Sequence, residues 1–243
     1  MMVLVIWSSS VWFRLQQLSI TFPTLSPWLK KNICCSRFMI HPNPSGLSCR
    51  EEDYRTGVRE HPSNRGGLPH PKGMLIEKLP DWLEKYTKRI SSMQLFSGKV
   101  ANHVLVNEYN PGEGIMPHED GPLYFPTVTT ISLGSQALLD FYHPITRENE
   151  KGEIALPQTE ENRYFLSLLL EPRSLLVLKD SMYLKYLHGI RPVSEDIITD
   201  KVANLTSCNS KLGAVLTRTT RVSLTIRHVP KVLKTTLLLG KKK

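Results

Sequence analysis

A chain of 243 residues has room for one hydrophobic core of ordinary size and hardly for two. Its 22% charged and 40% hydrophobic residues match a soluble globular protein, and no run nears the roughly 18 unbroken apolar residues of a membrane helix. A net charge of +9, with a pI near 9.4, favours polyanionic partners, nucleic acid first, because cationic side chains release counterions from phosphates.

The first seven residues are apolar, but no cation precedes them and Ser8, Ser9 and Ser10 interrupt them, a poor fit to a secretory signal. Among Cys34, Cys35, Cys49 and Cys208, no pair has the spacing of a zinc knuckle or a disulfide framework. A reducing intracellular compartment is the simpler inference. Trp7, Trp12, Phe13 and Trp28 follow neither a period of 2 nor of 3.6, and Pro42, Pro44, Gly46, Gly57 and Pro62 mark turns. No firm structure is assigned to residues 1–64.

Order begins near Leu68. Asp81 is placed to cap a helix over residues 80–92 that carries Trp82, Leu83, Tyr86 and Ile90 on one face. Short strands follow at 104–109, 127–133, 138–142, 164–170, 175–178 and 222–229. Residues 146–162 and 194–210 are polar and read as long surface loops. One helix followed by many short strands predicts a mainly β fold, a double-sheet jelly roll or barrel, and not alternating β/α units.

His118 and Asp120 come two residues apart after the turn Asn110-Pro111-Gly112. In an extended segment residues i and i+2 share a face, so an imidazole and a carboxylate can converge on one metal. A third ligand must come from elsewhere, and His188 follows a strand-like stretch at 183–187. Two His and one carboxylate leave half an octahedron open, the arrangement of non-haem Fe(II) oxygenases. His-x-Asp alone is a weak sign, because a surface His–Asp pair is the ordinary explanation. His103 and His143 read as structural or surface groups.

Residues 220–227 read as a strand with Arg221, Ser223, Thr225 and Arg227 on one face and Val222, Leu224 and Ile226 on the other. Two cations and two hydroxyls are costly against an apolar core, so their face meets water or an anion. A dicarboxylate suits it, since guanidinium binds carboxylate with a two-pronged fork that Lys lacks.

Together these motifs resemble the AlkB family of Fe(II)/2-oxoglutarate dioxygenases over about residues 65–240. The resemblance runs from Arg65-Gly66-Gly67-Leu68-Pro69-His70-Pro71-Lys72-Gly73-Met74 through Asn107-x-Tyr109, His118-x-Asp120 and Ser132-Leu133-Gly134-Ser135. It ends with Leu187-His188-Gly189 and the Arg-rich strand. It implies a double-stranded β-helix (jelly roll) with a few flanking helices. Residues 1–64 are then an atypical amino-terminal segment, residues 65–240 the dioxygenase domain, and Lys241, Lys242 and Lys243 a basic tail.

The family pattern makes His118, Asp120 and His188 the Fe(II) ligands. Asn107 and Tyr109 match positions that hydrogen-bond the carboxylates of 2-oxoglutarate, and Arg221 matches the partner of its distal carboxylate. Thr225 and Arg227 line the same pocket, Arg227 near the other end of the cosubstrate. The implied reaction uses O2 to convert 2-oxoglutarate to succinate and CO2 while an N-methyl group of alkylated DNA or RNA is hydroxylated and lost as formaldehyde. Met116, Leu123, Tyr124 and Phe125 flank the iron motif, as pocket lining or as plain packing. No membrane contact is expected, and the expected form is a monomer in the cytoplasm and nucleus.

Two departures stand out. Ser223 occupies a position where many family members have Asn, and residues 1–64 do not resemble the ordered segment that supplies outer strands and part of the nucleotide-recognition lid. A protein hydroxylase or demethylase on the same fold, and a non-catalytic binding module, are the alternatives. Against the first, peptide hydroxylases of the prolyl type carry Lys where Arg221 stands.

Overall fold

The computed structural model describes residues 63–145 and 159–233, together with the backbone of two strands in residues 2–9 and 12–19. In chain order, β1 (Met2–Ser9) and β2 (Trp12–Ser19) form an antiparallel hairpin. β3 (Ser63–Arg65) and β4 (Met74–Leu75) lead to α1 (Asp81–Ser92), and then come β5 (His103–Tyr109), β6 (Ile115–His118), β7 (Thr127–Gly134) and β8 (Ala137–Tyr142). The short α2 (Glu160–Arg163) opens into β9 (Tyr164–Leu170) and β10 (Leu175–Lys179), and α3 (Ser181–Leu184) into β11 (Leu187–Ile190). β12 (Glu195–Ile197), β13 (Val215–Thr217), β14 (Arg221–Arg227) and β15 (Val232–Leu233) complete the series.

Two sheets face each other. The larger has the order β2-β1-β10-β7-β14-β5-β3 and the smaller the order β6-β11-β8-β9. Period-2 alternation sorts each strand between two environments. On one side of the large sheet, Ile131, Leu133, Leu175, Val177, Val222, Leu224 and Ile226 pack against Leu83, Tyr86 and Ile90 of α1. On its other side, Val128, Leu176 and Leu178 meet Leu139, Phe141, Leu168 and Ile190 of the small sheet. Burying one such side chain is worth about 1.5–3 kcal/mol, so these two clusters fix which way the strands that carry them face.

The strands lie within a few residues of their sequence-based positions, with differences that have local causes. Asp81 does not cap α1; Pro80 holds that position, and Asp81 pairs with Lys78 at 3.0 Å instead. The stretch at 183–187 is not a strand, because residues 181–184 close one helical turn and pairing begins only at Leu187. The polar stretch 194–210 contains β12 and a helical turn at Leu205–Ser207, held down by Ile198 and Val202, which pack against Leu138 and Leu169. No strand was expected in residues 1–64, yet β1 lies parallel to β10 with Val3 opposite Leu175. Residues 146–158 of the expected loop and the basic tail Lys241, Lys242 and Lys243 lie outside the described residues.

β14 begins three residues after a buried ion pair. Arg218 donates from Nε to Asp196 Oδ2 at 2.8 Å and from Nη2 to Asp196 Oδ1 at 2.6 Å, and its Nη1 donates to the Arg191 carbonyl at 2.8 Å. Both side chains are buried, so removal of the acid strands the cation in a dry site. Asp196→Ala should therefore cost about 3–5 kcal/mol of folding stability, as read from urea denaturation midpoints. An unchanged midpoint would show that the pair adds nothing to the anchoring of β14.

Candidate functional site

β14 carries two buried cations. All seven of its residues are buried, and Arg221 and Arg227 are only 4% and 6% exposed. The face they share looks into the space between the sheets. Across the ladder, Arg221 stands opposite Tyr109 and Gly134, Ser223 opposite Asn107 and Ser132, Thr225 opposite Leu105 and Thr130, and Arg227 opposite His103 and Val128. A polar strip thus crosses three neighbouring strands.

The two arginines are satisfied differently. Arg227 donates from Nη2 to Asp120 Oδ1, and Tyr124 lays its ring 4.5 Å from the guanidinium carbon. Arg221 donates from Nη2 to Ser132 Oγ at 2.9 Å and lies 5.6 Å from the centroid of the Tyr109 ring. Its Nε is buried without a hydrogen-bond partner, and among the described residues no carboxylate pairs with it. Burial lowers its pKa to about 10, which leaves it a cation at pH 7. Asn107 donates from Nδ2 to Tyr109 Oη at 3.2 Å, and Thr130 Oγ1 donates to Thr225 Oγ1 at 3.4 Å. A buried cation with hydroxyl and amide groups beside it forms a receptor for a carboxylate.

The small sheet brings the imidazoles across from this strip. β11 pairs with β6 so that His188 is opposite His118, with ring centroids 4.6 Å apart. Gly189 makes this approach possible: a Cβ there would lie 2.9 Å from the Ile115 carbonyl oxygen and 3.0 Å from the Pro117 nitrogen. His118 Nδ1 is 2.8 Å from the Met116 carbonyl, which orients the ring and leaves Nε2 available. His188 Nε2 lies 3.6 Å from Asp120 Oδ2.

Charge is arranged to suit a cation here. Burial alone would raise the Asp120 carboxyl, but Arg227, His188 and His118 outweigh it and hold the group below the ordinary carboxylate range. Burial pushes His188 down to about 4 against the pull of Asp120, so its ring is neutral at pH 7. Its Nδ1 is buried with no hydrogen-bond partner. Two imidazoles and an ionised carboxylate are a donor set for a divalent iron, and these three residues fit one. The set is assembled in pairs and not closed: among the described residues, no three His, Cys, Asp or Glu side chains form a finished ligand cluster. Asp120 commits one oxygen to Arg227 and turns the other toward His188.

All eight residues singled out from the sequence therefore fall on this one inter-sheet region, on β5, β6, β11, β14 and the loop after β6. Sequence reasoning gave no role to Ser132, though the motif around it was noted, nor to Tyr183, whose hydroxyl donates to the Gly121 carbonyl at 2.7 Å. His103, read as structural or surface, is fully buried, with Nε2 3.0 Å from Asn64 Oδ1 and its ring 5.8 Å from that of Tyr124. An apolar run around it signals burial, but nothing local identifies its partner on β3.

Known proteins resemble long stretches of the chain. A family model described as the 2OG-Fe(II) oxygenase superfamily matches residues 35–227, beginning upstream of the resemblance read from the sequence. A protein of Danio rerio named probable RNA/DNA demethylase ALKBH6 is 63% identical over 179 residues, which are 74% of this chain and 75% of the fish protein. Uncharacterized protein L905 of Acanthamoeba polyphaga mimivirus is 32% identical over 157 residues, 63% of this chain and 60% of the viral one. A solved structure described as OsALKBH1 aligns over 68% of this chain and 76% of that one, with 13% identity and a TM-score of 0.38.

Two expectations follow from the geometry. Arg221→Lys should weaken 2-oxoglutarate binding by about 1.5–3 kcal/mol, at least tenfold, because an ammonium cannot reproduce the fork. Calorimetry that returned wild-type affinity would count against the pocket. The second concerns His103, which burial and then Arg227 push down to about 4. In the unfolded chain it takes up its proton near pH 6.5, so the unfolded state binds more protons between about 6.5 and about 4. Stability of the metal-free protein should fall as pH drops through that window. His103→Gln should show a shallower fall in denaturation midpoint, whereas equal slopes would mean the histidine titrates normally.

Proposed function

The chain belongs to the AlkB family of Fe(II)- and 2-oxoglutarate-dependent dioxygenases, and on that premise we propose that it oxidatively demethylates N-alkylated nucleic acid. The observation that carries the oxygenase chemistry is the buried Arg221, a cation that no acid among the described residues pairs with, on the strip facing His118, His188 and Asp120. In this reading His118, Asp120 and His188 hold the iron. Arg221 takes the distal carboxylate of 2-oxoglutarate, and Asn107, Tyr109 and Thr225 supply hydrogen bonds along it. Arg227 keeps Asp120 ionised and lies near the opposite end of the cosubstrate.

Bound Fe(II) supplies the oxidising chemistry by which O2, 2-oxoglutarate and an N-methyl group become succinate, CO2, formaldehyde and the unmethylated base. The protein's part is to orient these reactants and shield them from water. The dry clusters on both sides of the polar strip serve the shielding.

Three features support a nucleic-acid substrate. The fish relative is named a probable RNA/DNA demethylase, and the chain carries a net charge of +9. Aromatic surface also lies close to the iron ligands. The register slips between Phe141 and Tyr142, which makes Phe165 the extra residue on β9. Its ring sits 4.6 Å from that of His143 and 5.2 Å from that of Tyr186, which precedes His188 by two residues. Met116, two residues before His118, is 75% exposed. Such surfaces stack unpaired bases, and a base inside a duplex must be flipped out before its methyl group can be reached.

The test is product formation. With Fe(II), 2-oxoglutarate and O2, single-stranded oligonucleotides carrying N-methylated bases should yield formaldehyde and succinate in equal amounts, and Asp120→Ala should yield neither. Oligonucleotide binding should weaken steeply with added salt. Turnover of methylated peptides alone, with salt-independent binding, would transfer the assignment to a protein-modifying enzyme.

A further inference from the structure

The loop that follows Asp120 is gripped from two sides at consecutive residues. On one side Arg227 holds the Asp120 carboxylate. On the other, Tyr183 of α3 donates its hydroxyl to the Gly121 carbonyl oxygen at 2.7 Å. Gly121 has φ +87°, and a Cβ added there would meet nothing within 4 Å, so crowding does not hold this turn in place. A tether does.

Tyr183 is built to serve as that tether. Its ring is 7% exposed and packs in the inter-sheet cluster with Val128, Leu178, Met182 and Ile190. Its helical turn starts at Asp180, a non-glycine residue held at φ 54° and ψ −132°, whose carbonyl accepts from the Tyr183 and Leu184 nitrogens at 3.1 and 2.9 Å. Backbone strain of this kind persists only where the surroundings enforce it, and here it aims one phenol at one carbonyl. Burial, with the negative charge of Asp120 behind it, pushes the phenol pKa up, so the group remains a hydrogen-bond donor at every working pH.

We infer that Tyr183 is a positioning residue for the metal centre: through the Gly121 carbonyl its hydroxyl keeps Asp120 turned toward His188 and His118, against the pull of Arg227. The inference rests on the reading of those three residues as metal ligands. Without the tether, the loop is free to follow its carboxylate toward the guanidinium, and the carboxylate is then a poorer ligand. Tyr183 touches neither substrate nor metal in this role.

The probe is Co(II), titrated into the full chain without 2-oxoglutarate and followed by calorimetry and by the visible bands of the bound ion, which report its coordination. Tyr183→Phe keeps the ring and removes one oxygen. Its Co(II) affinity should fall about three- to tenfold, the worth of one neutral hydrogen bond, and the bands should change. The melting temperature of the metal-free protein should fall by only a few degrees, the loss of one hydrogen bond. Tyr86→Phe, which removes a buried hydroxyl that has no partner beneath α1, should bind Co(II) as the wild type does.

Other outcomes overturn the idea in distinguishable ways. If Asp120→Ala loses Co(II) while Tyr183→Phe keeps wild-type affinity and bands, the tether is wrong and the ligand assignment stands. If the wild type does not bind Co(II), or Asp120→Ala binds it equally well, the ligand assignment fails and takes the tether with it. If Tyr183→Phe proves unstable, Leu178→Ala, a neighbour with no polar group, is the comparison. An equal loss of Co(II) affinity at an equal loss of stability marks Tyr183 as packing only.

Discussion

Seven consecutive buried residues make up β14, and every second one from Arg221 to Arg227 is polar or charged. An apolar core tolerates Val222, Leu224 and Ile226 readily, but a guanidinium taken out of water must meet an anion or be strongly disfavoured. The strand can be buried only if the space on its polar side is reserved for negative charge. Much of the architecture answers to that demand. β5 and β7 flank β14 with Asn107, Tyr109, Ser132 and Thr130 in register, and the neighbouring β10 turns Leu176 and Leu178 to the same side to seal the space. One end of the strip is neutralised by Asp120 from a loop of the opposite layer, which ties the carboxylate to the large sheet while both imidazoles come from the small one.

The small sheet contributes geometry where the large one contributes charge. β6 is short, irregular and, among the described residues, paired only with β11, and its closeness depends on the missing side chain at Gly189. β8 and β9 behind it are ordinary core strands, with Leu139, Phe141, Leu168 and Leu170 giving β11 a rigid surface to lie on. The outer face of that sheet is covered by the segment after β12, where Asn204 bonds both the nitrogen and the carbonyl of Leu169 at 2.9 Å. This side-chain clamp closes an edge that would otherwise be open for pairing.

What could be read from the sequence was whatever repeats along it. Alternation at Arg221–Arg227 told which side chains share a face, and the spacing of His118 and Asp120 told that they could converge. Both readings use only the period of a strand. The spacing of Trp82, Leu83, Tyr86 and Ile90 likewise marked α1. What escaped was set by contacts between distant segments. The turn at Ser181–Leu184 looks like a strand because Tyr183, Leu184, Tyr186 and Leu187 favour one; the backbone conformation at Asp180, which no residue type announces, decides otherwise. The stretch 194–210 looks like a loop because its polar residues outnumber its two anchors, Ile198 and Val202. Ser132 and Tyr183 are unremarkable in the sequence, and only the folded chain puts them against Arg221 and Gly121.

Among the described residues no acid answers the charge on Arg221, so an anion bound there would tie the protein's durability to metabolism. A guanidinium held dry with one hydroxyl to bond is a standing penalty on the folded state. An anion that binds the folded chain and not the unfolded one offsets this, adding about 2.7 kcal/mol when its concentration is a hundred times its Kd. For a domain whose total margin is on the order of 5–15 kcal/mol, that is a sizeable share. The amount of this protein that survives proteolysis in a cell would then rise and fall with the supply of small dicarboxylates, so that scarcity of the cosubstrate removes the catalyst as well as slowing it.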